Sequence, residues 1–358
     1  MVIQSLYQTF QRYRSLRTHV ITSLPIAILM PHSACNCRCV MCDIWKDNKN
    51  LKQLTENDIR GLLATFRKLN TQMVLMSGGE ALLNPNFFRF CEILKKQNIK
   101  VSLLSTGLTL KKNATQLLEW VNDIVVSLDG DETMHDRIRN IPGAFHKLKD
   151  GVQHLKNINP AFRITSRTVI HRLNFRLWPN IIDCAREMGI DQASFLPADV
   201  SSHAFNREVL WSEQRQHELI PAEMELTELR ILAEYIIGKY SSEFQSRFIA
   251  ESPDKLRKIY SYYAAFYGLN AFPYKKCNAP WVSAVVEADG TVRPCFFHKA
   301  IGNIHEKELH EVLNSAESIR FRKELDMDND EVCKKCVCYL NLPIGTNPGS
   351  WPLPSWLF

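Results

Sequence analysis

No apolar stretch in this chain approaches the roughly 20 residues that a membrane-spanning helix requires. Neither sign of charge dominates: 44 Lys and Arg stand against 38 Asp and Glu, a net +6. That excess is too slight to imply nucleic-acid binding. There is no long internal repeat and no low-complexity tract. A secretory signal is lacking too, because the apolar run 24–30 leads directly into cysteines with no cleavage site between. Hydrophobic residues at 45% and charged residues at 23% suit a soluble globular protein. The expectation is a cytoplasmic chain with no membrane span and no nucleic-acid partner. At 358 residues it has room for one large α/β domain and a smaller one.

What the chain has in quantity is cysteine, eleven in all, grouped mainly into an early and a late set. Cys35, Cys39 and Cys42 stand in a C-x3-C-x2-C spacing. Three thiolates so closely spaced can hold three irons of a 4Fe–4S cubane, leaving the fourth iron without a protein ligand. A zinc finger wants C-x2-4-C with a second ligand pair nearby. A large chain without a secretory signal argues against a disulfide framework. Cys37 lies inside the loop as a bystander. Cys91 and Cys184 fall on helix faces as buried hydrophobes.

From residue 24 to about 200, short apolar runs alternate with amphipathic ones. Strands are predicted at 24–30, 73–76, 101–104, 124–128, 163–169 and 193–196, with helices at 55–69, 86–97, 113–121, 143–157 and 178–188. Six such repeats predict an α/β fold built on a parallel sheet, with its chemistry at the C-terminal strand ends. The cysteine loop follows strand one, Ser77-Gly-Gly-Glu80 strand two, Ser105-Thr-Gly107 strand three and Ser127-Leu-Asp-Gly130 strand four. Asn174 lies past strand five and Pro197-Ala-Asp199 past strand six. Helices are predicted at 223–240 and 253–267, and a hairpin turning at Asp289-Gly290. The segment containing Leu6, Tyr7, Phe10, Tyr13 and Leu16, with Arg12, Arg14 and Arg17, reads as a basic amphipathic helix. It is predicted to pack on the body; the alternative is peripheral membrane contact through its basic face. Tail residues 343–358 read as an ordered extension, with Trp351 and Trp356 packing on the body.

These motifs, in order and separation, resemble the radical S-adenosylmethionine (SAM) enzymes. Cys277-x17-Cys295, with Gly290 five residues before the second cysteine, and Cys333-x2-Cys336 resemble a C-terminal SPASM or twitch auxiliary-cluster region. The resemblance implies a partial (β/α)6 TIM-like barrel with a small C-terminal domain. Its expected divisions are an N-terminal extension at 1–23, a core barrel at 24–205, a helical linker at 206–276, the auxiliary domain at 277–340 and a tail at 341–358. It implies that Cys35, Cys39 and Cys42 ligate a 4Fe–4S cluster whose open iron takes the amino and carboxylate groups of SAM. An electron passed to the sulfonium then yields a 5′-deoxyadenosyl radical that abstracts hydrogen from the substrate.

By the same resemblance Gly78 and Gly79 admit the SAM amino group, with Glu80 as its partner. Ser127 and Arg139 hold the SAM carboxylate, Ser105 and Asn174 contact ribose or methionine, and Leu196 packs near adenine. Asp129 fixes the turn before Gly130. Two departures leave the pocket's shape open: Ala81 stands where relatives often carry Pro, and Met41 where they carry an aromatic residue. Cys277, Cys295, Cys333 and Cys336 are implied to bind a second, auxiliary 4Fe–4S cluster, with an all-thiolate zinc site as the alternative. Cys338 is a spare thiol, an alternative ligand or the remnant of a further site. His171 and His203 default to packed or surface residues, although His203 sits in a polar segment on the active face.

The implied activity is hydrogen abstraction assisted by the auxiliary cluster, with a flavodoxin or ferredoxin as electron donor. Residues 1–23 are too few for a leader-binding domain, which tilts the expected substrate towards a small metabolite. A peptide or protein maturase is the alternative. A non-catalytic iron–sulfur or zinc-binding scaffold is a third reading.

Overall fold

The structure is a computed structural model that describes residues 2–346. Six strands run parallel in chain order: β1 (Ile26–Leu29), β2 (Met73–Met76), β3 (Lys100–Ser105), β4 (Asp123–Ser127), β5 (Arg163–Ile170) and β6 (Gln192–Pro197). Parallel neighbours need crossovers, and helices supply them. Glu56–Lys68, Phe87–Lys95, Ala114–Trp120, Ala144–Ile158 and Trp178–Glu187 fall within a few residues of the predicted spans. Thr55 begins the first with a reciprocal cap, its hydroxyl accepting from the Asp58 N–H while the Asp58 carboxylate accepts from Thr55.

One crossover helix was not anticipated: Glu132–Arg139, capped by Asp131. Only eight residues long and rich in charge, it has too few apolar residues to stand out in the sequence. It carries Arg139.

The C-terminal region joins the same sheet. β7 (Ser283–Val286) pairs parallel with β1, Ile26 opposite Ser283, and β8 (Thr291–Arg293) and β9 (Gly302–Asn303) follow antiparallel. The predicted hairpin is present, with Gly290 at φ +82°, a conformation that costs glycine little. The sheet order is β6-β5-β4-β3-β2-β1-β7-β8-β9, so the sheet stays open and the barrel is partial. Strands β1, β2 and β7 are buried along their full length, as a sheet covered on both faces requires.

The outer edge of β6 is covered by 248–250, where the Ala193 N–H donates to Phe248 O at 2.7 Å and the Ala250 N–H to Ala193 O at 2.9 Å. The aromatic-rich helix Pro253–Ala265 seats Tyr263 over the ends of β5 and β6. Its hydroxyl accepts from the Ala198 N–H at 2.8 Å and donates to Ile170 O.

The N-terminal helix Val2–Thr18 packs on the body through its polar side. It buries Arg12 and Ser15 and leaves Leu6, Tyr7, Phe10 and Tyr13 exposed. The polar side docks because Arg12 reaches the carbonyls of Pro343 and Thr346, and Ser15 Oγ accepts from the Thr22 N–H at 2.9 Å. Trp351 and Trp356 lie outside the described residues. Among those residues no helix is long and apolar enough to cross a membrane.

Candidate functional site

The cysteine loop leaves the end of β1 and is pinned on both sides. On one side Gly79 lies so close that a Cβ there would sit 2.2 Å from the Ala34 carbonyl oxygen. The same carbonyl accepts the Glu80 N–H at 2.9 Å. The absent side chain at Gly79 therefore seats the β2 loop against the cysteine loop. Gly78, at φ +107°, turns the chain into that contact. On the other side the Arg38 N–H donates to Arg139 O at 2.9 Å and the Val40 N–H to Ile138 O at 3.0 Å. Asn48 closes the loop from within, pairing with both the N–H and the C=O of Cys35 at 3.0 and 2.9 Å.

Donors point at the sulfurs. The Cys37 N–H lies 3.5 Å from Cys35 Sγ, the Ile44 N–H 3.5 Å from Cys42 Sγ, and Arg139 Nη1 3.4 Å from Cys39 Sγ. Such donors stabilise metal-bound thiolates. None of the three cysteines is in a disulfide. Burial pushes the Cys35 and Cys42 thiols up to about 12. Cys39 moves down, because the Cys37 thiol donates to it and Arg139 stands beside it. A metal bound through these sulfurs would therefore displace protons from Cys35 and Cys42. Cys37 is fully buried, as a hydrogen-bonding neighbour of Cys39.

Several expected SAM contacts are engaged by protein. Glu80 is fully buried and accepts from the Thr106 N–H at 2.8 Å, Thr106 Oγ1 at 2.7 Å, Ser105 Oγ at 3.0 Å and the Leu82 N–H at 3.2 Å. Burial raises its pKa against those donors. Glu80 and Ser105 thus tie the ends of β2 and β3 together, and Thr106 extends the tie to Asn36 in the cysteine loop at 2.9 Å. Asn174 donates to the carbonyls of Asp129 and Val169 at 3.0 Å each and accepts the His171 N–H at 2.9 Å. Its carboxamide holds the loops after β4 and β5. Ser127 is half-buried at the end of β4, opposite Arg167. Leu196 lies apart from these, beside a small cavity of about 50 Å³ that also meets Tyr262, Lys275 and Cys336.

Arg139 forms a buried ion pair with Asp129, whose carboxylate also accepts the Val169 N–H at 3.2 Å. Asp129 therefore does more than fix a turn. The buried Nε of Arg139 has no acceptor among the described residues. An orphaned guanidinium N–H beside the three thiols fits an incoming carboxylate. His171 is also fully buried, its Nδ1 accepting from the Leu173 N–H at 3.2 Å, and burial holds it neutral with a pKa of about 3.

A second layer behind the loop was not legible in the sequence. Arg207, fully buried, pairs with Asp199, donates to Met41 O at 3.2 Å and lies 3.9 Å from the centre of the Trp211 ring. Trp211 Nε1 donates to Asp43 Oδ2 at 2.8 Å, and Arg215 reaches Val40 O. Residues 199–215 thus clamp Val40, Met41 and Asp43. Aromatic and basic residues separated by some 170 positions from their partners leave no local signal.

The loop, β2 and the β7–β8 hairpin frame an open mouth of about 600 Å³, lined by Gly78, Gly79, His32, Lys46, Glu287 and Arg293 among others. His203 is exposed on its wall, and Nδ1 lies 3.0 Å from Arg207 O.

The late cysteines converge on a separate cavity of about 280 Å³, whose wall carries Cys277, Cys295, Cys333, Cys336 and Cys338. A zinc ion would draw four sulfurs to about 2.3 Å. A cavity this size between them suits a cluster better. His298, unremarked in the sequence, places Nε2 3.3 Å from Cys333 Sγ, with Asp330 completing a compact group. Its position three residues after Cys295 was the available signal. Cys338 lies between this cavity and the cations Arg167 and Lys255, which offset the cost of ionising it.

Residues 29–185 match the family model of the radical SAM superfamily, and residues 277–337 match that of the SPASM iron–sulfur cluster-binding domain. Over 319 residues the chain is 24% identical to the AdoMet-dependent heme synthase of Methanosarcina barkeri, covering 86% of each protein. Over 327 residues it is 22% identical to the antilisterial bacteriocin subtilosin biosynthesis protein AlbA of Bacillus subtilis, covering 86% of this chain and 65% of that one. The fold is similar to that of Streptococcus suis SuiB, whose crystal structure is bound to the precursor peptide SuiA. The TM-score is 0.65 at 15% identity, over 91% of this chain and 74% of that one. The first domain implies a 4Fe–4S cluster with SAM, and the second implies auxiliary iron–sulfur. Residues 29–185 thus carry a radical SAM domain and residues 277–337 a SPASM domain, and the chain is an enzyme.

Proposed function

We propose that this enzyme abstracts a hydrogen atom from a polar substrate admitted through the mouth beside the cysteine loop, and that the auxiliary site then accepts an electron from the substrate. The observation that carries this reading is the pair of thiol sites: three sulfurs with N–H and guanidinium donors aimed at them, and a second, five-thiol cavity. Cys35, Cys39 and Cys42 hold the first cluster, and Cys277, Cys295, Cys333 and Cys336 the second. When bound, the first cluster and SAM together supply a primary carbon radical.

The chain's own residues do the positioning. Arg139 offers its unpaired Nε to the SAM carboxylate, and Ser127 at the end of β4 is a further candidate contact. Gly78 and Gly79 border the mouth without side chains in the way. Glu80, Ser105 and Asn174 hold the strand ends in place. Glu287 and Arg293, paired at 2.7 Å, and Lys52 with Asp289 at 3.0 Å line the mouth with charges of both signs. Such a wall selects a polar substrate over an apolar one.

A small metabolite is the first reading, supported by the alignment to a heme synthase along most of both chains. A peptide is the second. The openness of the mouth to solvent favours it, as does the likeness to AlbA. Anaerobic reconstitution with SAM and dithionite tests the core proposal. Production of 5′-deoxyadenosine by the wild type and its loss in Cys39→Ala are expected; a chain that loads iron but forms none is a scaffold. Deuterium carried into 5′-deoxyadenosine from labelled metabolite or peptide pools then decides between the substrates.

A further inference from the structure

A second concavity, of about 570 Å³, opens outside the cysteine loop and shares no lining residue with the mouth. Its wall holds Val40 and four arginines, Arg137, Arg172, Arg176 and Arg215, against two carboxylates, Glu218 and Glu225. Glu225 is shared by Arg172 at 2.9 Å and Arg176 at 3.1 Å, Arg176 also pairs with Glu228 at 2.6 Å, and Glu218 pairs with Arg215. Arg137 is exposed and forms no ion pair among the described residues. Arg38, also exposed, stands two positions before Val40. The five arginines stand against Glu218, Glu225 and Glu228, which leaves an excess of two positive charges, at Arg137 and Arg38, beside the cysteine loop.

Where the groove lies gives it meaning. Val40 sits between Cys39 and Cys42, its N–H held by Ile138 O at 3.0 Å and its carbonyl by Arg215. The groove thus meets the backbone of the loop that presents the sulfurs. We propose that it is the docking face for an acidic, one-electron carrier protein. This rests on the reading above, in which Cys35, Cys39 and Cys42 hold a cluster that must be reduced from outside. One electron leaves the carrier, oxidising it by one, and enters the bound cluster, reducing it by one. Positive charge here steers and orients a negatively charged partner.

The test uses the reconstituted full chain and an Arg137→Glu/Arg176→Glu variant, with an acidic flavodoxin as the probe. Two readouts are taken: calorimetric binding of flavodoxin, and 5′-deoxyadenosine formation driven by flavodoxin or by dithionite. The variant should bind flavodoxin about tenfold more weakly or worse, with a matching rise in its apparent KM, while the dithionite-driven rate holds within about twofold. Wild-type binding should weaken as NaCl rises from ~50 to ~300 mM, and the variant's should respond less.

Unchanged binding and KM overturn the proposal. So does a dithionite-driven rise in substrate KM, which would assign the groove to an acidic substrate segment. Should the double variant fail to load iron, the Arg137→Gln/Arg176→Gln pair faces the same criteria. Failure of the wild type to form 5′-deoxyadenosine with dithionite would instead sink the functional reading itself.

Discussion

Arg139 joins Asp129 and Cys39: its guanidinium pairs with the buried carboxylate and places Nη1 3.4 Å from the thiol sulfur. Burial raises the Asp129 pKa, and Arg139 opposes the rise. Removing one partner of such a pair leaves an uncompensated charge, which costs about 3–5 kcal/mol. Arg139→Met should therefore destabilise the chain by that order in anaerobic denaturant titrations. Adding Asp129→Leu should restore much of the loss. A single variant as stable as the wild type would mean that the two groups are solvated rather than paired.

Trp211 binds Asp43 across 168 positions of sequence. Trp211→Phe keeps most of the stacking with Arg207 but removes the indole N–H, at a cost of about 1–3 kcal/mol. The cysteine loop should then open more often, and a chelator should strip its iron faster. Stripping at the wild-type rate would show that the clamp does not restrain the loop.

Gly79 has no room for a methyl group, since the Ala34 carbonyl occupies its place. Gly79→Ala should push the cysteine loop out of register. Two cubanes contain about eight irons, and the expectation for this variant is a fall towards about four. Retention of the full complement would show that the loop can shift without losing its ligand geometry.

Five thiols surround the auxiliary cavity where a cubane uses four. Cys336→Ala should lower the count to about four irons, whereas Cys338→Ala should keep about eight. The reverse pattern would make Cys338 the ligand and leave Cys336 spare.

Asp123 is buried at the start of β4 with Ser102 donating to it, and burial pushes its pKa up to about 7. An acid whose folded pKa exceeds its unfolded value of about 3.9 favours the protonated form on folding. Its burial cost is therefore absent below about pH 4, grows as pH rises towards 7 and is complete above. Asp123→Asn should stabilise the chain by up to about 4 kcal/mol at pH 8 and have little effect near pH 4. Melting curves at the two pH values would check it. Equal shifts at both would exclude titration as the cause.

Strands and the cysteine loop were legible where the signal is local. β2 falls on the predicted Met73–Met76, because a short, fully buried parallel strand is a continuous apolar run. The spacing of Cys35, Cys39 and Cys42 was readable for the same reason: all three thiols lie within one loop. The glycines were visible as a motif, but their reason was not, since the group that excludes a Cβ at Gly79 is a carbonyl 45 residues earlier.

What the chain determined unaided was its order of elements, its iron–sulfur chemistry and the strand ends where that chemistry collects. Folding decided which of the polar residues there face protein and which face outward. It turned Glu80, Ser105 and Asn174 onto neighbouring backbone and hydroxyl groups and left the buried Nε of Arg139 without an acceptor among the described residues. It also docked the N-terminal helix by its polar side, because two carbonyls from residues 343 and 346 bind Arg12. A hydrogen bond is specified by two partners, and when hundreds of residues separate them neither carries a mark of the other.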